Sequence, residues 1–360
     1  MIANKKVLIA GGGTGGHFFP AQTLSESLIK NGFLVEMIGS KNGIEAKYAT
    51  NCIFKIHLLN ISGIQRSIHI KSLMMNLLFP IKFILSLIQS IRIILNFKPN
   101  VVVGTGGYSS GIPLIAAIIL GKKTLIQEQN CYPGITTRVL SSWVNEICIA
   151  YKDSKKYLSK NNKIILTGNP IRNNLKKYKK NDAKSMLGIK NNKKVLLIIG
   201  GSQGAKTINN YFLKYYKKII NEQIHIIWQV GSKHYSQVYT EINLDEIDIY
   251  DFIEDIDTYI SASDLIISRA GALTLSELAY FEKPILLIPF PYASQNHQFL
   301  NAIYYKKNDA AILFEESLMN GVELVKILLK LLKNTKKQDS LIKNIKKIAK
   351  PNATNIINDR

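Results

Sequence analysis

Short apolar runs recur along the chain, each closed by glycine or a polar turn and followed by a stretch with helical spacing. Val7–Ala10, Phe33–Ile38, Val101–Val103, Thr124–Gln127 and Glu146–Ala150 form a first series. Val195–Ile199, His225–Val230, Ile249–Phe252, Leu265–Ile267, Ile285–Ile288 and Ala311–Phe314 form a second. Alternation of this kind predicts βαβ units and a parallel sheet. Between the series, Thr167-Gly168-Asn169-Pro170-Ile171-Arg172 reads as a crossing, since Gly and Pro punctuate and the residue before Pro avoids helix. Strand, glycine turn and helix begin at Val7 and again at Val195, a weak internal repeat. The expected fold is therefore α/β, with two Rossmann-like doubly wound parallel-sheet domains, residues 1–166 and 167–342, and an interdomain cleft. A length of 360 residues fits two cores better than one.

Residues 62–98 break the pattern, being rich in Leu, Ile, Met and Phe with only Arg66, Lys71, Lys82, Arg92 and Lys98 charged. Lysine and proline interrupt them too often for a span of ~20 apolar residues. Two readings stay open: a core-packed helix pair, or an exposed apolar stripe flanked by cations and lying on an anionic bilayer.

Composition adds limits. Hydrophobic residues make up 46% and charged ones 20%, a globular balance. Cys52, Cys131 and Cys148 are too few and too scattered for a disulfide scaffold or metal cluster, and fit a reducing compartment. The apolar run after Lys5 and Lys6 meets Gly11 after four residues, short of a signal peptide's ~7–15. A net charge of +22 calls for an anionic partner (nucleic acid, membrane or phosphorylated substrate) unless most lysines are merely solvated. No helix-turn-helix or aromatic stacking platform supports nucleic acid. The distribution is more telling: no acid occurs between Glu45 and Glu128, whereas acids crowd into Glu241–Asp257.

Candidate chemistry sits in the glycine turns. Gly11-Gly12-Gly13-Thr14-Gly15-Gly16-His17 lies between the first strand and a helix, where backbone N–H groups can meet an anion or an acceptor. Gly11, Gly13, Gly16 and Glu36 also satisfy a dinucleotide fingerprint, although Glu36 falls inside the second strand instead of at its end. Gly104–Gly111 and Gly200–Ala205 repeat the arrangement, and Lys206 lacks the spacing of a Walker lysine. In Ser268–Leu278, Thr274 is near a helix N-terminus suited to phosphate, and Glu277 could accept a ribose diol.

GGGTGGH, GTGGYSSGIP, QEQN, GNPIR, GGSQGA, ISRAGALTLSEL and HQFLNA occur in one order across nearly the whole chain. Together they resemble the MurG family, which adds N-acetylglucosamine to undecaprenyl-pyrophosphoryl-N-acetylmuramoyl-pentapeptide in peptidoglycan synthesis. The resemblance implies a GT-B fold, an inverting transfer from UDP-GlcNAc, no cofactor and no obligatory metal. It also implies a cytoplasmic-face, peripheral position on the inner membrane, and a final helix, Asn352–Asp359 within 343–360, returning to the first domain. Another UDP-sugar transferase acting on a membrane lipid is the alternative.

The family's donor contacts fall on Thr14, Gly15, Gly16, Asn130 and Arg172. In the second domain they fall on Ser202, Ile253, Ala272, Leu273, Thr274, Leu275, Ser276, Glu277 and Gln298. Arg172 and Ser202 would hold the diphosphate as charge grows on it. The Ile253 backbone would read uracil, Glu277 the ribose, and Asn130 and Gln298 the sugar hydroxyls. His17 is the expected general base, with Glu128 the runner-up. Asn296 departs from the acid many relatives carry there. Asp255-Ile256-Asp257 imitates a metal-binding Asp-x-Asp but is expected to start a helix.

Overall fold

The computed structural model describes residues 5–61, 63, 77–159, 163–201, 204–242 and 244–360. It divides into two compact units, Met1–Asn173 with Lys350–Arg360, and Asn174–Ala349.

In the first unit β1 (Lys6–Ala10), β2 (Leu34–Ser40), β3 (Lys55–Leu59), β4 (Val101–Gly104), β5 (Lys123–Glu128), β6 (Glu146–Ile149) and β7 (Lys163–Leu166) form one parallel sheet. Their order is β3-β2-β1-β4-β5-β6-β7. Leu8, Ile38, Val102, Ile126 and Ile147 pack on one face, and Val7, Ile9, Met37, Val103 and Leu125 on the other. A sheet buried on both sides explains why its strands are apolar throughout. Chain order reverses between β1 and β4, the switch point where open α/β sheets take ligands outside the carboxyl ends of the strands. Ala10 pairs with Gly104, so the two glycine turns leave the sheet side by side. A Cβ on Gly11 would fall 1.9 Å from Thr105 Oγ1, which leaves glycine as the residue that fits.

The second unit repeats the plan. β8 (Lys194–Ile199), β9 (Ile224–Gln229), β10 (Ile247–Tyr250), β11 (Leu265–Ser268), β12 (Ile285–Leu287) and β13 (Ile312–Leu313) are parallel, in the order β10-β9-β8-β11-β12-β13. The switch lies between β8 and β11. Trp228 and Phe212 fill the core beneath β9, ring centroids 5.9 Å apart.

Three expectations need adjustment. Strands β3 and β7 were absent from the sequence pattern; both lie at sheet edges, open with lysine and are incompletely buried. The crossing falls after Asn173 instead of residue 166. The GNPIR turn belongs to the first unit because Thr167 and Gly168 donate to the Ile149 carbonyl, and Gly168 packs on Lys350 and Ala353. Finally, only the Ala353–Asn358 helix returns to the first unit, where Asn358 donates to Ser27 Oγ at 2.7 Å. Residues 343–348 end the Thr335–Ile348 helix of the second unit, tied there by Lys346 to Glu282.

Of residues 62–98, the described part centres on one helix, Phe79–Phe97. Its 19 residues are long and apolar enough to cross a membrane by length and composition. One side, with Ser86, Ser90 and Ile94 buried, packs on the Tyr108–Ile119 helix and the sheet. The other carries Ile81, Ile84, Leu85, Ile88 and Leu95 into the open. The expected second helix of a core pair falls mainly outside the described residues.

Candidate active site

At the switch point of the first unit a carboxylate lies under the first glycine turn. Glu45 is fully buried, and its oxygens accept from Gly13 N at 2.8 and 3.0 Å and from Ser40 N at 2.6 Å. Gly12, Gly39 and Gly43 crowd it so closely that a Cβ on any of them would come within 2.5 Å. In dinucleotide enzymes such a turn cradles phosphate with its N–H groups. Here Gly13 N–H already serves an anion, whose charge repels a second. Glu36 sits mid-strand and pairs with His57 at 2.7 Å, away from any ribose position at a strand end. The dinucleotide reading fails on both counts. Glu45 was missed by sequence reasoning, for nothing local distinguishes it from a surface glutamate.

Thr14 caps the Gly15–Lys30 helix, and Thr14 and Gly16 are exposed beside the half-buried Gly15 and His17. The second glycine turn packs on His17: a Cβ on Gly106 would lie 2.9 Å from its Nδ1. That nitrogen is 3.1 Å from Thr105 O and 2.9 Å from Gln129 Oε1, while Thr105 Oγ1 donates to His17 O. The imidazole is thus fixed at the carboxyl end of β1, with Nε2 on the side away from these partners.

Glu128, at the end of β5, is 2% exposed and already engaged. It accepts from Asn130 N (2.9 Å), Gly134 N (3.0 Å) and Thr137 Oγ1 (2.6 Å). A carboxylate so bonded shapes the 130–137 loop, which carries Asn130, and has little capacity left to collect a substrate proton. Arg172, the last residue of the GNPIR segment, is half-buried.

In the second unit, Gly204 turns at φ +73 with a hypothetical Cβ 2.2 Å from Val230 O, which lets the β8 loop close on β9. Ser202 lies outside the described residues. The N–H of Ile253 donates to Gln229 Oε1 at 3.1 Å, so its carbonyl is the group left to meet a nucleobase. The Ala272–Phe281 helix starts at the end of β11, its first-turn N–H groups lacking intrahelical acceptors. Leu273, Thr274, Ser276 and Glu277 are half-buried on its outer face. Ala272 and Leu275 are buried, and Leu275 N already donates to Gly271 O, so Leu275 supports the helix instead of meeting a ligand. Ser276 Oγ bonds back to Ala272 O at 3.0 Å. Gln298 Oε1 joins Ala270 N (3.2 Å) to Phe290 N (3.0 Å), leaving its amide N–H groups for a hydroxyl.

Arg269, just past the end of β11, is engaged internally. It donates to the Ile288 and Pro289 carbonyls, pairs with Glu316 and is pushed below the usual arginine range by burial. Asp257 accepts Lys176 N at 2.7 Å, and Asp255 stands at the start of the Ile256–Ala262 helix, as expected of the Asp-x-Asp segment. Asn296 adopts the left-handed conformation (φ 55), which asparagine tolerates better than most residues.

These residues match known proteins along the whole chain. Residues 7–149 match the glycosyltransferase family 28 N-terminal domain, and residues 195–357 the family's C-terminal domain. A UDP-N-acetylglucosamine--N-acetylmuramyl-(pentapeptide) pyrophosphoryl-undecaprenol N-acetylglucosamine transferase of Flavobacterium psychrophilum is 40% identical, over 98% of this chain and 96% of its own. The Cytophaga hutchinsonii protein of the same name is 38% identical over 97% and 94%. The crystal structure of Acinetobacter baumannii MurG superposes with a TM-score of 0.79 at 26% identity, covering 99% and 98%. The chain is a MurG-type member of glycosyltransferase family 28.

As in other GT-B members of family 28, each half is its own parallel-sheet domain. A Neisseria meningitidis UDP-GlcNAc 2-epimerase, at 16% identity and a TM-score of 0.64, shares the fold alone. A cavity of about 680 Å³ lies at the opposite end of the first sheet, among Lys5, Leu28, Asn100, Lys123 and Arg360. It is remote from the glycine turns that a family 28 enzyme would use.

Proposed function

We propose that this chain transfers N-acetylglucosamine from UDP-GlcNAc, with inversion, to the muramyl 4-hydroxyl of undecaprenyl-pyrophosphoryl-N-acetylmuramoyl-pentapeptide. The observation that carries this reading is full-length similarity to transferases of that name, with a histidine held at the first switch point. His17 takes the hydroxyl proton as the oxygen bonds to the anomeric carbon. The bond from that carbon to the UDP oxygen breaks, and the charge leaves with UDP. Leu273 and Thr274 N–H groups at the Ala272 helix terminus, with Arg172 and Ser202, suit that growing charge. The Ile253 carbonyl, Glu277 and the Gln298 amide suit uracil, ribose and sugar hydroxyls.

We further infer an anionic lipid surface as partner, at the cytoplasmic face of the inner membrane. The Phe79–Phe97 helix, its C-cap and residues 119–123 together carry exposed isoleucines (Ile81, Ile84, Ile88, Ile119) and the cations Lys82, Arg92, Lys98, Lys122 and Lys123, a combination suited to such a surface.

Transfer of radiolabelled GlcNAc tests the acceptor: label should enter the lipid-linked muramyl pentapeptide, and label on diacylglycerol alone would favour the alternative transferase. By calorimetry, His17→Ala should bind UDP-GlcNAc as the parent does, while kcat falls ~10²–10⁴-fold. Turnover retained within a few-fold would move the base elsewhere.

A further inference from the structure

A chain of three buried amides ends on His17. Gln127, Gln129 and Asn169 are each 1% exposed or less, and they come from the QEQN and GNPIR segments. Asn169 Nδ2 donates to Gln129 O at 3.2 Å, and that carbonyl can only accept. Asn169 Oδ1 therefore faces the other way, and accepts from Gln127 Nε2 at 3.0 Å. Gln127 Oε1 is then an acceptor for Gln129 Nε2, at 2.5 Å. The backbone carbonyls of Thr105 (2.7 Å) and Gln127 (2.9 Å) also face that nitrogen, whose two N–H groups are shared among the three oxygens, so Gln129 cannot turn its amide over without opposing oxygen to oxygen. Its Oε1 is left pointing at His17 Nδ1, at 2.9 Å.

Among the described residues His17 Nδ1 thus meets two acceptors, Gln129 Oε1 and Thr105 O, and no donor. A neutral imidazole satisfies both only with its proton on Nδ1. Free imidazole side chains prefer the other tautomer, so the protein imposes this one.

We propose that Gln129 is a positioning residue that holds His17 as the Nδ1–H tautomer, leaving the lone pair on Nε2 to take the acceptor's proton. The Gln127–Asn169 pair locks the amide that does so. This rests on His17 being the base, yet the tautomer itself can be read without turnover.

Two-bond ¹⁵N–¹H correlation of the histidine rings in the full-length protein, above the pH at which they titrate, reports which nitrogen is protonated. The His17 signal is assigned by its loss in His17→Ala. The expected result is a proton on Nδ1; a proton on Nε2 overturns the proposal, and this measurement needs no Gln129 variant to fold. In Gln129→Leu the Nδ1–H pattern should weaken toward the mixture of a free ring. There kcat should fall about 10- to 100-fold, less than the loss expected for removing the base, with the KM for UDP-GlcNAc within twofold. A Gln129→Leu enzyme with unchanged ring signals and kcat would mean that Thr105 O suffices, and would overturn the role of Gln129. An Nδ1 proton in a protein whose His17→Ala variant still turns over would leave the positioning intact and remove the base assignment instead.

Discussion

Glu45 lies under the first glycine turn and Glu128 was the second candidate base, but both carboxylates are consumed by backbone donors. Removing either acceptor strands buried N–H groups, at about 1–3 kcal/mol each. Glu45→Ala should therefore unfold the first unit at lower urea, with a loss of roughly 2–6 kcal/mol, since Gly13 and Ser40 lose their partner together. Unchanged urea midpoints would show that water replaces the carboxylate without cost. Glu128→Gln is a different test. An amide cannot accept on both ends, so the 130–137 loop should loosen and the KM for UDP-GlcNAc rise through Asn130. The acid limb of the kcat/KM profile should stay where it was, whereas a shifted limb would make Glu128 a proton acceptor after all.

The Phe79–Phe97 helix buries two serines beside its inward apolar residues while leaving other isoleucines exposed. Ser90 is fully buried, its hydroxyl bonded to Ser86 O at 2.8 Å, while Ile84 is 56% exposed. Small residues let this helix lie close against its neighbour, and the inward apolar set of Phe83, Leu87, Ile91 and Ile94 secures the core. The outward isoleucines Ile81, Ile84 and Ile88 are 58%, 56% and 41% exposed. Ile84→Asn with Ile88→Asn should leave thermal stability nearly unchanged, since surface substitutions shift it by about 0.5 kcal/mol or less. Sedimentation with phosphatidylglycerol vesicles should weaken at least tenfold, about 1.4 kcal/mol, or half the worth of one fully buried isoleucine. Equal sedimentation of parent and variant, or negligible binding of the parent, would defeat the membrane reading.

The net charge of +22 also shapes stability across the whole molecule. In the second unit Lys180, Lys184 and Lys194 gather round Asp264, at 2.9, 3.6 and 3.6 Å. Burial pushes that carboxyl up, but the Lys180 ammonium and the Val195 N–H outweigh it and hold it low. Among the described residues Lys283 pairs with no carboxylate at salt-bridge distance, and Asp264 only partly offsets its burial. Its ammonium donates to the Ser261 and Ser263 carbonyls, and burial, aided by Lys180, pushes it down to about 8. Unfolded lysine titrates near ~10.4. Between about 8 and that value the unfolded chain binds more protons, so Lys283 makes stability rise with pH, and below about 8 the full cost of a buried cation remains. Relative to Lys283→Met, the parent should gain up to about 3 kcal/mol between pH 7 and pH 10.5 in denaturant unfolding. The Cys148 thiol, pushed up to about 12 by burial, acts in the opposite sense and cancels in that difference. A pH-independent difference would show that Lys283 is hydrated.

Much of this architecture could be read from local pattern alone. Central strands such as β1, β4, β8 and β11 are apolar runs that end in, or are followed at once by, glycine or serine, because they are buried on both faces and must turn sharply at the switch points. β3 and β7 escaped because each is short and partly exposed, β3 being interrupted by His57 and β7 reduced to Ile164–Leu166 after Lys163; edge position alone is not the reason, since β10 and β13 are edges too. His17 and the Ala272–Glu277 turn were legible because their chemistry follows glycine turns. The burial of Leu275, the Gln229 bond that takes the Ile253 N–H, and the internal use of Arg269 were not, because each depends on a partner distant in sequence. By itself the sequence determined two parallel-sheet halves and the turns that carry the candidate site. Only tertiary structure decided the state of the groups at those turns: Glu45 fills the place of an anion, and Gln129 meets His17 from 112 residues away. Hydrogen-bond satisfaction in a buried site is a property of neighbours in space, and chain order does not encode which groups those will be.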